Sequence, residues 1–585
     1  MKHDTIVELL HWRALNQPAQ DAYTFLVDGE KEGPRLTYAE LEHEARKVGG
    51  LLQNYLRAGE RVLLLYPSGL DFVAAFYGSL YAGIIPIPAP QPRPNKTLNR
   101  LQTIAADAGA SVVLTTSSIL TLTEKLFALA PELQNMRWLA TDNLDDSFAG
   151  EFHAPQLKSD GLALLQYTSG STSLPKGVMI THENIMQNSS ELHLTLCHTE
   201  DTIFITWLPH FHDMGLIYGI IQPLYTGFPA YIMPSVYFLQ RPVRWLEAIT
   251  RYKGTHSAAP NFAYDLCVRK VTPEQRTHLD LSSWRMAANA AEPVSAQVIE
   301  QFTQTFGPCG FRRKTFSPCY GLAEVTLIAT GVHRDEETPF IEVQATALGQ
   351  NKVVEASESN HNSRTLVSCG RTAHTAGIAI VDPTSLTRCQ NDQVGEIWVQ
   401  GRSVAQGYWG RPDETEKVLQ AHLADSGQGP FLRTGDLGVI KDGELYVVGR
   451  LKDIIIVAGN NHYPQDIEET VSQSHPSIRP HCCAAFSIED NEQELLVIVA
   501  EVEPHYRLAS HNSLSAPGAL RKRPIFDSPE VIKAIRRAVA EEHELPVHTV
   551  EFIKAGSLPK TTSGKIQRRE CKNLFLSHSL EKWEV

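Results

Sequence analysis

Across the first 300 residues, short apolar runs alternate with longer stretches whose apolar positions recur at helical spacing. Thr37, Tyr38, Ala39 and Glu40 set a hydroxyl three residues before a glutamate, a capping box that predicts a helix to about residue 56. Gly59 then precedes an apolar strand at 62–65, and a helix is expected over about 70–82. Strands are predicted at 84–87 and 112–115, and further short apolar runs fall at 162–166, 203–207, 230–233 and 286–288. Strands alternating with helices imply an α/β fold, with a largely parallel sheet covered by helices.

From about residue 395 the period changes. Residues 396–400 alternate polar and apolar, and 439–441 and 444–448 flank Asp442-Gly443, the signature of a hairpin. The stretch 452–585 reads as a small α+β unit, with strands at 484–486 and 495–502 and a long helix opening at Ser528-Pro529-Glu530. The polar stretches 356–364 and 507–523 are expected to be loops.

Composition removes several classes of function. With 53 basic and 66 acidic residues among 585, the net charge of -13 argues against nucleic acid as the main partner. Arg521-Lys522-Arg523 then reads as a solvated loop face. The nine cysteines include no Cys-x-x-Cys pair, which argues against zinc and for reduced thiols in the cytoplasm. Asp4 and Glu8 interrupt the apolar run that a signal peptide needs. Two uncharged stretches, 72–90 and 214–240, have the length of a membrane span, but prolines and glycines divide both into shorter buried elements. No integral membrane segment is expected.

The most informative segment follows the strand at 162–166. Tyr167-Thr168-Ser169-Gly170-Ser171-Thr172-Ser173-Leu174-Pro175-Lys176-Gly177-Val178 combines exposed backbone N–H groups, hydroxyl donors and a lysine, the combination that phosphate oxygens require. Gly170 is not followed by the spacing of a Walker loop. Taken alone, such a run is also the composition of a flexible connector.

Further motifs follow in order: Asn289-Ala290-Ala291-Glu292-Pro293, Tyr320-Gly321-Leu322-Ala323-Glu324, Arg433-Thr434-Gly435-Asp436-Leu437, Gly449-Arg450-Leu451-Lys452-Asp453 and Pro559-Lys560-Thr561-Thr562-Ser563-Gly564-Lys565. Together these resemble the adenylate-forming superfamily of acyl-CoA synthetases, peptide-synthetase adenylation domains and luciferases, over essentially the whole chain. The resemblance implies a large N-terminal domain (1–451) of helix-covered mixed sheets plus a β-rich subdomain. A small mobile α+β domain (452–585) would carry the catalytic lysine.

It also implies roles for particular residues. Thr168, Ser169, Gly170, Ser171, Thr172 and Lys176 would hold the phosphates of ATP, and Asn289, Ala290, Ala291, Glu292, Tyr320, Gly321 and Leu322 the adenine side. Glu324 would hold Mg²⁺, Asp436 would accept the ribose hydroxyls, and Arg450 would reach the ribose or phosphates. Lys565 would bridge the carboxylate and the α-phosphate, with Lys452 as the hinge. His212 resembles a gate beside the α-phosphate, while a metal reading of His210, His212 and Asp213 lacks a fourth ligand. The uncharged stretch 214–240, with Met214, Gly215, Phe228 and Ile232, would wall an acyl tunnel, or else is ordinary core. Each buried methylene contributes about 0.8 kcal/mol, so a medium or long chain suits it.

The chemistry is consistent with such motifs. A carboxylate is already ionised near neutral pH and needs no general base. The obstacle is the repulsion of two anions and charge build-up at phosphorus, which donors, a lysine and a divalent cation relieve.

Two departures point to one branch. Residues 340–347, a polar tip at 349–351, and 352–355 read as an added hairpin within an insertion at about 333–368, resembling the insertion of fatty acyl-AMP ligases; a neutral surface loop is the other reading. Residues 454–468 carry Ile456 and Asn461 where CoA-using relatives show lysine and arginine. The resemblance implies an ATP-dependent ligase that makes acyl-AMP from a fatty acid and passes it to a separate acyl carrier protein. The alternatives are a fatty acyl-CoA synthetase and a catalytically silent fatty-acid or nucleotide-binding module.

Overall fold

The structure, a computed structural model, describes residues 3–91, 99–122, 127, 131–168, 175–333, 336–357, 362–372, 376–457, 460–490, 493–508, 524–561 and 564–583. The Arg521–Arg523 cluster and residues 358–361 lie outside these.

The largest sheet has nine strands in the order Arg371–Thr372, Ile328–Gly331, Phe316–Gly321, Met286–Asn289, His256–Ala259, Phe204–Thr206, Ala230–Ile232, Asp21–Leu26 and Glu32–Thr37. From Phe316–Gly321 to Asp21–Leu26 the strands run parallel. Antiparallel strands close both edges. His256–Ala259 and Met286–Asn289 are buried at every position, as strands covered by helices on both faces must be.

A second, parallel sheet orders Ile85–Pro88, Arg61–Leu64, Val112–Thr115 and Arg137–Ala140. A three-stranded antiparallel sheet of Gly407–Tyr408, Lys176–Thr181 and Leu162–Thr168 carries both stems of the hydroxyl-rich loop.

The local signals explain their elements. The Thr37 hydroxyl accepts from Glu40 N–H at 3.3 Å and Glu40 accepts from Thr37 N–H at 2.8 Å, so the capping box opens the helix Tyr38–Gln53. Asp442 and Gly443 both take positive φ, 53° and 81°, as the two-residue turn between Leu432–Lys441 and Glu444–Arg450 demands. The stretch 72–90 divides into the helix Leu70–Tyr81 and the strand Ile85–Pro88. The stretch 214–240 divides into Met214–Ile221, Gln222–Thr226, Ala230–Ile232 and Ser235–Gln240. Among the described residues, no helix is long and apolar enough to cross a membrane.

The C-terminal unit pairs Ile478–Asp490 with Gln493–Val502, adds Val547–Ile553 in parallel, and packs Pro464–Ser474 and Ser528–His543 on that sheet. Ile467, Val471, Ile498, Val531 and Ile535 form its own core, separate from that of the large unit.

The inserted segment differs from its expected form. Phe340–Gln344 pairs antiparallel with Ser363–Val367, not with 352–355, and Ala345–Gly349 is a short helix. Residues 352–355 pass along the other edge, touching it at a single Val343–Glu355 bridge. Burial is the reason. Val343, Leu348, Val353 and Leu366 share a core with Val394, Leu437 and Tyr446, so the segment folds down onto the β-rich sheet.

Candidate active site

A cleft of about 3490 Å³ runs between the large unit and the C-terminal unit. Thr168, Lys176, Glu324, Asp436, Arg450 and Lys565 all line it, although they come from elements as much as 397 residues apart in sequence. Ser169, Gly170, Ser171 and Thr172 lie outside the described residues.

The stems of the phosphate loop are fastened from behind. Thr168 pairs with Lys176 across Leu162–Thr168 and Lys176–Thr181. The Tyr167 hydroxyl donates to Asp107 Oδ2 at 2.6 Å, and Arg411 Nη2 donates to Asp107 Oδ1 at 3.0 Å and to Pro175 O at 3.3 Å. Lys176 pairs with Glu414, and its ammonium lies 5.2 Å from the Tyr408 ring centroid.

Glu324 sits in a tight 3₁₀ turn, Ala323–Val325, after Gly321. A Cβ at Gly321 would fall 1.7 Å from Leu327 O, so no other residue fits that approach. The Tyr408 hydroxyl donates to Glu324 Oε1 at 2.9 Å. Burial raises the Glu324 carboxyl above its usual range, and Asp213 adds to the rise. A desolvated carboxylate facing the cleft is a suitable ligand for a hard divalent cation.

Both Asp436 oxygens are engaged: Tyr320 donates to Oδ2 at 2.9 Å and Arg450 Nε to Oδ1 at 3.0 Å. Their partner strands set this arrangement, because Asp436 and Arg450 are register partners. Each oxygen keeps a second lone pair for a hydroxyl donor. Asp436 raises the Arg450 pKa further.

Ala290, Ala291 and Glu292 line the cleft beside Tyr320, Gly321 and Leu322. Ala291 is held at φ 73°, an uncommon conformation for a residue with a Cβ. Glu292 is half-buried, accepts Phe262 N–H at 2.5 Å, and has its carboxyl raised chiefly by desolvation. Asn289 sits apart from these residues. It does not line the cleft; fully buried, it donates to Asn261 Oδ1 at 3.3 Å and supports the loop from behind.

His212 lines the cleft, its imidazole lowered to about 4 by burial against the pull of Asp213. His210 packs its ring 4.0 Å from Phe72. The π-helical turn Met214–Ile221 starts here, with Asp213 Oδ1 accepting Met214 N–H at 2.7 Å. Met214 and Gly215 line the cleft together with Leu192, Leu196, Tyr218 and Ile328. Phe228 and Ile232 do not line the cleft. The Phe228 ring packs in the core, 5.2 Å from His198 and 6.2 Å from Phe204.

From the C-terminal unit, Lys452 lines the cleft directly after the strand Glu444–Arg450, with its pKa lowered by burial and by Arg569, Lys176 and Arg450. Lys565 arrives on a turn in which Thr561 N–H donates to Lys565 O at 2.7 Å.

Comparison with known proteins shows the family. The family described as AMP-binding enzyme matches residues 10–409, and the AMP domain of the Disco-interacting protein 2-like family matches 452–585. The chain belongs to the AMP-binding enzyme family. It is an adenylate-forming ligase of that family. The chain is 48% identical to the medium-chain-fatty-acid–[acyl-carrier-protein] ligase JamA of Moorena producens, over 99% of this chain and 96% of that protein. It is 35% identical to the long-chain-fatty-acid–AMP ligase FadD32 of Mycolicibacterium smegmatis, over 96% of this chain and 93% of the relative. The crystal structure of a fatty acyl-adenylate ligase from Legionella pneumophila, in complex with acyl adenylate and pyrophosphate, superposes with a TM-score of 0.75 at 37% identity, covering 98% of this chain and 96% of that one.

Several residues around this family site carried no motif in the sequence. Tyr408, Glu414, Arg411 and Asp107 contact Glu324, Lys176 and the loop stems. Tyr408 and Arg411 lie in the Gly-Tyr-Trp-Gly-Arg-Pro run at 407–412, which reads as a turn.

Proposed function

We propose that this chain activates a medium- or long-chain fatty acid with ATP, forming acyl-adenylate and pyrophosphate, and passes the acyl group to the phosphopantetheine thiol of a separate carrier protein. What carries the reading is that Glu324, Asp436 and Lys565 share one cleft with Thr168 and Lys176. A carboxylate oxygen attacks the α-phosphorus, and the bond from that phosphorus to the bridging oxygen breaks as pyrophosphate departs. Lys565 would neutralise the carboxylate and the α-phosphate, and Asp436 would fix the ribose. Burial keeps His212 neutral near pH 7, so it adds no charge there. Glu324 would hold Mg²⁺, which offsets phosphate charge.

Transfer to a carrier in preference to CoA rests on the inserted segment. Asn461 Nδ2 donates to Asn351 Oδ1 at 3.0 Å, Arg364 Nη1 lies 3.1 Å from Asp466 Oδ2, and the Arg364 guanidinium stacks 4.9 Å from the Tyr463 ring centroid. These contacts tie the insertion to the C-terminal unit and oppose the rotation that thioester formation with CoA requires. Here the exchange of cations for Ile456 and Asn461 gains a second meaning, because Asn461 is a tether.

The test mixes the protein with ATP, Mg²⁺, dodecanoate and CoA and follows products by mass spectrometry. Acyl-AMP without acyl-CoA is expected. Abundant acyl-CoA points to the synthetase, and absence of acyl-AMP rules out the ligase reading.

A further inference from the structure

One of the places where the C-terminal unit meets the large unit is the helix Asn261–Lys270. Asp265 on that helix, its side chain only 10% exposed, receives His481 Nε2 of the C-terminal unit at 3.1 Å and its own Arg269 Nη2 at 2.6 Å, both on Oδ2. Burial works against the Asp265 carboxylate, yet the hydrogen bonds from His481 and Arg269 still hold its pKa below the usual range.

His481 is placed for this contact by a break in its strand. Register between Ile478–Asp490 and Gln493–Val502 shifts between Ile478 and Cys483, and His481 takes φ 54° in that break. Its carbonyl accepts from Lys560 Nζ at 2.7 Å, and Lys560 bridges Ile566 at the base of the turn that carries Lys565. The same helix meets that turn directly, since a Cβ at Gly564 would lie 3.5 Å from the Phe262 ring. One route therefore leads from Asp265 through His481 and Lys560 to Lys565.

We propose that His481 and Asp265 form a clasp that positions Lys565 for the adenylation step; the proposal rests on the ligase reading above. Asp265 and His481 are positioning residues that touch no reacting atom. An exposed lysine on a separate folding unit gains catalytic value only when its approach is fixed, and misplacement by about 1 Å costs on the order of 10²-fold.

The test is a double-mutant cycle on pyrophosphate release from ATP and dodecanoate in single turnover. D265N keeps the shape of the side chain. H481N keeps a residue that tolerates left-handed backbone, so the bulge survives. Each is expected to lower the rate by roughly 10-fold or more with Lys565 present. In the K565A background each should change the residual rate by less than about twofold, because the clasp acts only through that lysine. Equal losses in both backgrounds mean a structural role and overturn the proposal, as do unchanged rates with Lys565 present. A parent protein that releases no pyrophosphate removes the ligase reading and the clasp with it.

Discussion

Asn461 Nδ2 donates to Asn351 Oδ1 at 3.0 Å, joining the C-terminal unit to the tip of the inserted segment. With the Arg364–Asp466 pair, this contact is where the insertion would restrain rotation under the proposed function. Deleting residues 340–365 would also strip Val343, Leu348 and Val353 from a core shared with Leu437 and Tyr446. The cleaner variant is R364A/N461A, which cuts the tethers and leaves that core. Dodecanoyl-CoA should then rise above the parent level while acyl-AMP formation persists. A folded double variant that makes no more thioester than the parent shows that these tethers are not the brake.

Lys565 is exposed and takes part in no core cluster. Lys565→Ala should lower acyl-AMP formation by about 10²–10³-fold, the loss typical of removing one preorganised charge stabiliser. Thermal unfolding should be unchanged. Near-parental pyrophosphate release would remove the lysine from the mechanism.

The hydroxyl of Tyr408 donates to Glu324 at 2.9 Å, at the cation end of the proposed site. A hydrogen bond to a charged group contributes about 1.5–3 kcal/mol. Tyr408→Phe should therefore raise KM for MgATP roughly tenfold and shift the Mg²⁺ titration upward, with KM for the fatty acid unchanged. A matched rise in both KM values contradicts the assignment of Tyr408 to the cation side.

At Gly215, a Cβ would fall 2.0 Å from Pro209 O, a backbone atom that cannot swing aside. Gly215→Ala should cost about 1–3 kcal/mol through overpacking and push the start of Met214–Ile221. Differential scanning calorimetry reads the first effect, and loss of turnover with dodecanoate reads the second. A variant with parental melting and turnover would show that the turn relaxes freely.

Buried histidines make stability depend on pH. Burial lowers His182 from 6.5 to about 4, so the folded chain refuses a proton that the unfolded chain binds below pH 6.5. Unfolding free energy therefore falls as pH drops from 6.5 towards 4. His210, lowered to about 3, acts in the same sense, while Asp466, raised to about 6 by burial, offsets part of it. At about 1.4 kcal/mol per unit, His182 alone accounts for roughly 2 kcal/mol between pH 7.5 and 5.0. Urea midpoints for the parent and H182Q at both pH values check this. The parent should lose about that much more than the variant on acidification, and equal losses would show that His182 does not titrate this way.

The sequence alone determined what depends on neighbours in the chain. The Thr37 capping box, the Asp442-Gly443 turn, the alternation of apolar strands with helices and the phosphate-loop stems are settled within a few residues, because backbone hydrogen bonding and periodic burial act at that range. Tertiary structure decided which motifs share a cavity and which supporting residues complete it. Asn289 and Phe228 turned inward, where neighbours supplied buried partners, and the inserted segment folded onto the β-rich sheet because Val343, Leu348 and Val353 could be buried there. Tyr408, Asp107, Asp265 and His481 carried no periodic signal, since each makes a contact across 60 or more residues of chain. Local propensity contains no information about such partners; only packing of the finished units brings them within hydrogen-bond distance.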